Sequence, residues 1–75
     1  MDEATAEAIR DLPPSAKLVA KVLEHNDDLT QRELAERTLL PDRTVRYALS
    51  RLEENDAVSS RFSFTDARKQ VYSLN

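Results

Sequence analysis

The chain has 75 residues, 40% of them hydrophobic and 33% charged, with a net charge of −3 and no Cys or Gly. That is the size of one small domain with a modest core. Without cysteine there is no disulfide framework and no thiolate metal site, and no apolar run approaches the roughly 20 residues of a membrane span. With no apolar segment after Met1 either, the expectation is a complete small soluble protein of the cytoplasm.

The acidic balance is uneven. Residues 1–14 carry Asp2, Glu3, Glu7 and Asp11 against Arg10 alone, whereas residues 41–75 carry Arg43, Arg46, Arg51, Arg61, Arg68 and Lys69 against five carboxylates. A local basic face can bind an anionic partner whatever the net charge. Of the eleven basic residues only Lys17, Lys21 and Lys69 are lysines. An acidic, arginine-rich composition fits a high-salt cytoplasm, and a GC-rich genome accounts for the arginines equally well.

In chain order, residues 1–12 can form a short helix. Asp2 and Glu3 suit its N-terminus and Arg10 its C-terminus, while Ala4, Ala8, Ile9 and Leu12 supply a thin apolar stripe. The alternatives are a frayed acidic tail and an oligomerisation helix. Pro13 and Pro14 stop that segment. The next helix starts with Ser15 as its cap or Pro14 as its first residue. It runs from Ala16 to about Glu24 with Leu18, Val19, Val22 and Leu23 as its core face, and Asn26-Asp27-Asp28 ends it.

Thr30-Gln31-Arg32-Glu33 is a capping box, with Leu29 and Leu34 placed as the hydrophobic staple that accompanies one. The helix it opens runs from Gln31 to about Arg37 and buries Leu34 and Ala35. Thr38-Leu39-Leu40 is a turn, and Pro41 belongs at or just before the first turn of the following helix. That helix spans Asp42 to Glu54. Val45, Ala48, Leu49 and Leu52 recur at helical spacing as a buried stripe, and Arg43, Arg46, Tyr47 and Ser50 occupy the opposite side. An outer face of two arginines, a tyrosine and a hydroxyl suits a polar, anionic partner. Two helices joined this way read as a helix-turn-helix whose second helix enters a DNA major groove. Asn55 is expected to end it in the left-handed conformation, there being no Gly to do so.

After Ala57 the apolar period changes to 2. Val58, Phe62 and Phe64 share one face, Thr65-Asp66-Ala67-Arg68 is a turn, and Lys69 to Leu74 returns with Tyr72 and Leu74 inward, forming a β-hairpin. Tyr72 and both Phe are expected in the core. The expected architecture is mostly helical α+β: three core helices and a two-stranded wing over residues 13–75, preceded by the segment 1–12.

The piece LTQRELAERTLLPDRTVRYALSRLEENDAV resembles the DNA-binding core of MarR-like winged helix-turn-helix regulators. The likeness lies in LTxxELAE, in TVRYALSRLEE and in the small apolar pair opening the wing. With FTDARKQVYSL in the wing, the chain is also similar to small stand-alone winged-helix proteins of halophilic archaea. The resemblance implies a homodimeric, sequence-specific transcriptional regulator. It puts Arg43, Thr44, Arg46, Tyr47 and Ser50 at the major groove. Gln31 and Arg32 fall on phosphates, and Arg61, Arg68 and Lys69 on the backbone or minor groove. Family members often carry Gly where this chain has Leu39 or Leu40 and Asp56. Larger members hold a ligand pocket between long flanking dimerisation helices, for which only residues 1–12 remain, so no small-molecule ligand is expected. The other function class is a winged-helix adaptor that docks on protein. One His (His25), no Cys and scattered carboxylates assemble no nucleophile–base pair or metal cluster, so neither catalysis nor a cofactor is expected. Arg51 is expected to pair with Glu53 or Glu54 on its own helix.

Overall fold

A computed structural model describes residues 1–75. The order is α1 (Glu3–Ile9), α2 (Pro14–His25), β1 (Leu29–Thr30), α3 (Gln31–Thr38), α4 (Asp42–Glu54), β2 (Val58–Phe62) and β3 (Gln70–Leu74). This is the winged-helix arrangement, with one strand more than the sequence pattern shows. β1 pairs antiparallel with β3, Leu29 opposite Tyr72 and Thr30 opposite Val71, so the sheet is three-stranded in the order β1-β3-β2. Two residues are too few to display a period of 2, and the partner strand lies far along the chain. The pairing therefore leaves no local trace. No helix is long and apolar enough to cross a membrane.

One core of buried side chains runs through all the helices and the base of the wing. Leu34, Val45, Leu49, Leu52 and Val19 are its largest fully buried members. The stripe Val45, Ala48, Leu49 and Leu52 is buried as the periodicity requires. α2 differs from expectation. Its buried face is Ala16, Val19, Ala20 and Leu23, Val22 is half-buried, and Leu18 is 41% exposed. Small residues point inward because α2 packs against α4 and α3, and alanine lets the helix backbones approach closely.

The helix ends show how the chain manages without glycine. α1 is capped by Asp2, whose carboxylate accepts the Thr5 N–H at 2.8 Å, and Ile9 and Leu12 bury it on the core. The segment is an ordered helix, tied to the far end of the chain by the Thr5 hydroxyl, which donates to the Asn75 carbonyl at 3.3 Å. Pro14, not Ser15, begins α2, with Pro13 at the cap position. The turn after α3 places Leu39 at φ 61. There the Thr38 hydroxyl donates to the Leu34 carbonyl at 2.7 Å and accepts the Leu40 N–H at 3.3 Å.

At the end of α4 the left-handed residue is Asp56, at φ 58, and Asn55 stays at φ −100. The Ala57 N–H reaches the Leu52 carbonyl at 2.9 Å and the Asp56 N–H the Glu53 carbonyl at 3.1 Å. This double bond pattern is a Schellman motif, which puts the left-handed residue one position beyond the cap. Leu39 and Asp56 thus hold the conformation that glycine adopts most readily.

Candidate nucleic-acid interface

Three elements adjoin through the start of α3, which reaches the start of α4 and shares a cleft with the wing. The first is the outer face of α4, where Arg43, Arg46, Tyr47 and Ser50 are exposed and Thr44 is half-buried. Neither Arg43 nor Arg46 has a carboxylate within ion-pair distance. Their position follows from the buried stripe: a helix that turns Val45, Ala48, Leu49 and Leu52 into the core must turn these residues out. Pro41 at the cap position and Asp42 in the first turn fix where the helix starts.

The second element is the start of α3, where the capping box is formed in both directions. The Glu33 N–H donates to the Thr30 hydroxyl at 3.1 Å, and the Thr30 N–H donates to the Glu33 carboxylate at 2.9 Å. The second bond, with the Thr30 hydroxyl adding to it, holds the Glu33 carboxyl below the usual carboxylate range. Gln31 leans toward α4, its amide reaching the Asp42 carbonyl at 3.4 Å, and Arg32 is exposed. Gln31 therefore bridges the starts of the two helices of the helix-turn-helix.

The wing is the third element. β2 and β3 pair from Val58 opposite Leu74 to Phe62 opposite Gln70. Between its end and α3 lies an open polar cleft of about 610 Å³, lined among others by Gln31, Arg32, Glu36, Ser63, Thr65 and Lys69. Lys69 points into it without a carboxylate partner. The wing arginines are differently placed. Arg61 is ion-paired with Asp28, in the loop that precedes β1. Arg68 donates from Nε to Asp66 at 3.2 Å. The Arg68 backbone N–H also reaches that carboxylate and, with the side chain, holds its pKa down.

Two expectations about this face are corrected. Arg51 pairs with neither Glu53 nor Glu54. Its Nη1 donates to the Tyr47 hydroxyl at 2.9 Å, and its guanidinium carbon lies 5.9 Å from the ring centroid. Tyr47 and Arg51 stand one turn apart on α4, so the spacing for this pair was visible, but so was the spacing for the carboxylates. The bond occupies a phenol lone pair and leaves the Tyr47 proton free to be donated outward. The second correction concerns the wing aromatics: Phe62 is 64% exposed and Phe64 100%. Alternation carries on past the point where the core stops, so period alone cannot tell an inward ring from one that overhangs. Only Tyr72 fits the expectation, packing against the core, and burial pushes its phenol pKa up, with Glu53 adding to the shift and Arg46 opposing it.

Residues 10–69 match the MarR family. The chain belongs to that family. Among solved structures, a probable transcriptional regulator from Pseudomonas aeruginosa superposes with a TM-score of 0.84 at 20% identity, over 96% of this chain and 55% of that one. BpsR of Bordetella bronchiseptica, whose DNA binding is regulated by 6-hydroxynicotinic acid, gives 0.83 at 19% identity over 96% and 53%. A variant of MepR from S. aureus, bound to an oligodeoxyribonucleotide, gives 0.80 at 20% identity over 95% and 54%. This MarR-family chain therefore spans about half the length of those proteins. No curated protein matches it.

Proposed function

We propose that this MarR-family chain is a sequence-specific, double-stranded DNA-binding transcriptional regulator. The observation that carries the reading is the outer face of α4: exposed Arg43, Arg46, Tyr47 and Ser50, with no acidic partner on either of the first two arginines. In this reading α4 enters the major groove, where an arginine can bond guanine O6 and N7 together. Thr44 and Tyr47 meet phosphate or a thymine methyl. Gln31 and Arg32 hold phosphates beside the groove, and Lys69, Arg61 and Arg68 bring the wing to the backbone or minor groove. The oligodeoxyribonucleotide bound to the MepR variant supports the same partner. A homodimer reading two half-sites about one helical turn apart completes the reading. In a high-salt cytoplasm, one of the two origins that fit the arginine-rich composition, counterion release would contribute less and base contacts more.

The alternative, a protein-docking adaptor using the same helix, calls for an apolar outer face on α4. Tyr47 is the one large hydrophobic residue exposed there. The test is retention of a random-sequence duplex pool at high and moderate KCl, followed by sequencing. Enrichment of an inverted repeat supports a dimeric regulator. No enrichment at either salt rejects the reading in favour of the adaptor.

A further inference from the structure

The end of the wing carries a feature that neither the sheet nor the core uses. Phe64 stands wholly in solvent, with Phe62 largely exposed behind it. A lone exposed apolar residue is ordinary. Here three observations give it meaning.

The ring is presented on a built platform. The Ser63 N–H closes the hairpin end on the Lys69 carbonyl at 2.8 Å, and the Thr65 N–H reaches back across Phe64 to the Ser63 hydroxyl at 3.2 Å. On the return side the Lys69 and Arg68 N–H groups end on Asp66, at 2.9 and 3.0 Å. The chain on either side of the ring is also basic. Residues 61 to 69 carry Arg61, Arg68 and Lys69 against Asp66; Arg61 is held by Asp28 and Arg68 by Asp66, and Lys69 is the cation left unpaired. Finally, Ser63 and Thr65, the neighbours of Phe64, line the same cleft as Gln31 and Arg32. The wing end thus belongs to the side that faces DNA in the proposed function.

We propose that Phe64 is an aromatic wedge that enters the minor groove and partly unstacks a base step, kinking the duplex. Duplex DNA is the occupant that the charge arrangement favours. A projecting ring whose neighbours Ser63 and Thr65 share a cleft with the unpaired Lys69 matches a stack of apolar base faces bordered by phosphates, and side chains of this kind wedge between base steps in other minor-groove binders. Phe62, two residues back at the end of β2, follows against the groove wall. The inference rests on the DNA-binding reading and adds to it a selectivity: pyrimidine–purine steps, which unstack most easily, are preferred beneath the wing.

The test uses the full chain and short duplexes with a dye at each end and 2-aminopurine at a central TA step. The chain is expected to shorten the dye-to-dye distance and to brighten the 2-aminopurine. Phe64→Ala should melt at the same temperature as the parent, abolish the brightening and weaken binding about tenfold, the scale of one lost base–aromatic contact. Phe64→Trp should keep the bend and show quenching of its own indole fluorescence on binding. Unchanged affinity and bending in Phe64→Ala overturn the wedge and leave DNA binding standing. Absence of duplex binding by the parent chain overturns both. Dissociation of an oligomer by Phe64→Ala, with DNA binding unaltered, makes the ring a contact between copies and also overturns the wedge.

Discussion

On α4 the arginines at positions 43 and 46 stand in water with no carboxylate against them, whereas on the wing Arg61 and Arg68 each end on one, Asp28 and Asp66. The two regions carry similar charge in different states. An arginine without a partner meets a phosphate or a guanine by shedding water alone. One that is paired must exchange a protein carboxylate for the new ligand, which costs little on an exposed surface, where such pairs are worth about 0–1 kcal/mol. In the proposed reading the helix arginines are thus available for direct contact, and the paired wing arginines become so only after an exchange. Apolar placement differs as well. The inward side of α4 is among the most buried surfaces in the chain, while the rings at the outer end of the wing lie in solvent.

Replacements on the two regions should separate them by energy. Leu52→Ala removes a fully buried side chain from α4 and should cost about 2–5 kcal/mol in chemical denaturation. Phe64→Ala should change stability by less than about 0.5 kcal/mol. Similar losses at both positions would mean that the wing end is packed, and the contrast would fail.

On binding, Arg46→Ala should cut discrimination between a retained duplex and random DNA by about 1–3 kcal/mol if Arg46 pairs with a guanine. Lys69→Ala should weaken all duplexes about evenly and lower the salt slope. Equal effects of the two substitutions on specific and random DNA would remove base reading from α4.

Thr30 sits between the regions, and Thr30→Ala should cost about 1 kcal/mol. The same cap has a pH signature. The Glu33 carboxyl is held below its ordinary value by the Thr30 N–H. Its contribution to stability is therefore complete above the unfolded carboxylate pKa and is lost as pH falls through the lower folded value. Glu33→Gln keeps an acceptor that does not titrate, so its stability should fall less steeply in acid, as followed by circular dichroism across that range.

The smallest effect tests the wing arginines. Asp28→Asn releases Arg61 and should alter stability by less than about 0.5 kcal/mol, yet binding to random duplex should tighten a few-fold. Weaker binding would show that Asp28 positions Arg61 rather than occupying it.

Much of this molecule is legible in its sequence because its strongest signals are local. The capping box at Thr30–Glu33 and the stripe from Val45 to Leu52 each follow from residues within two helical turns of one another, and the structure places them as read. The hairpin is equally local, with its strands joined by one turn. What escaped depends on distant partners. β1 exists because Leu29 and Thr30 meet Tyr72 and Val71. Ala16 and Ala20 take the inward face of α2 in place of Leu18 because a neighbouring helix comes close. The candidate site divides in the same way. Periodicity places Arg43, Arg46, Tyr47 and Ser50 outward, but the Arg51–Tyr47 bond and the pairing of Arg61 with Asp28 depend on which of several available partners wins.

The two-residue strand β1 has a mechanical consequence. Thr30 is at once the cap of α3 and the partner of Val71 in the sheet. The wing and the helix-turn-helix are therefore joined through Thr30 as well as through the buried Ala57 and Val58 that lead from α4 into β2. In the proposed DNA-binding reading this double attachment sets the separation between the major-groove and wing contacts, so a duplex whose grooves are spaced otherwise would have to bend or twist to be gripped.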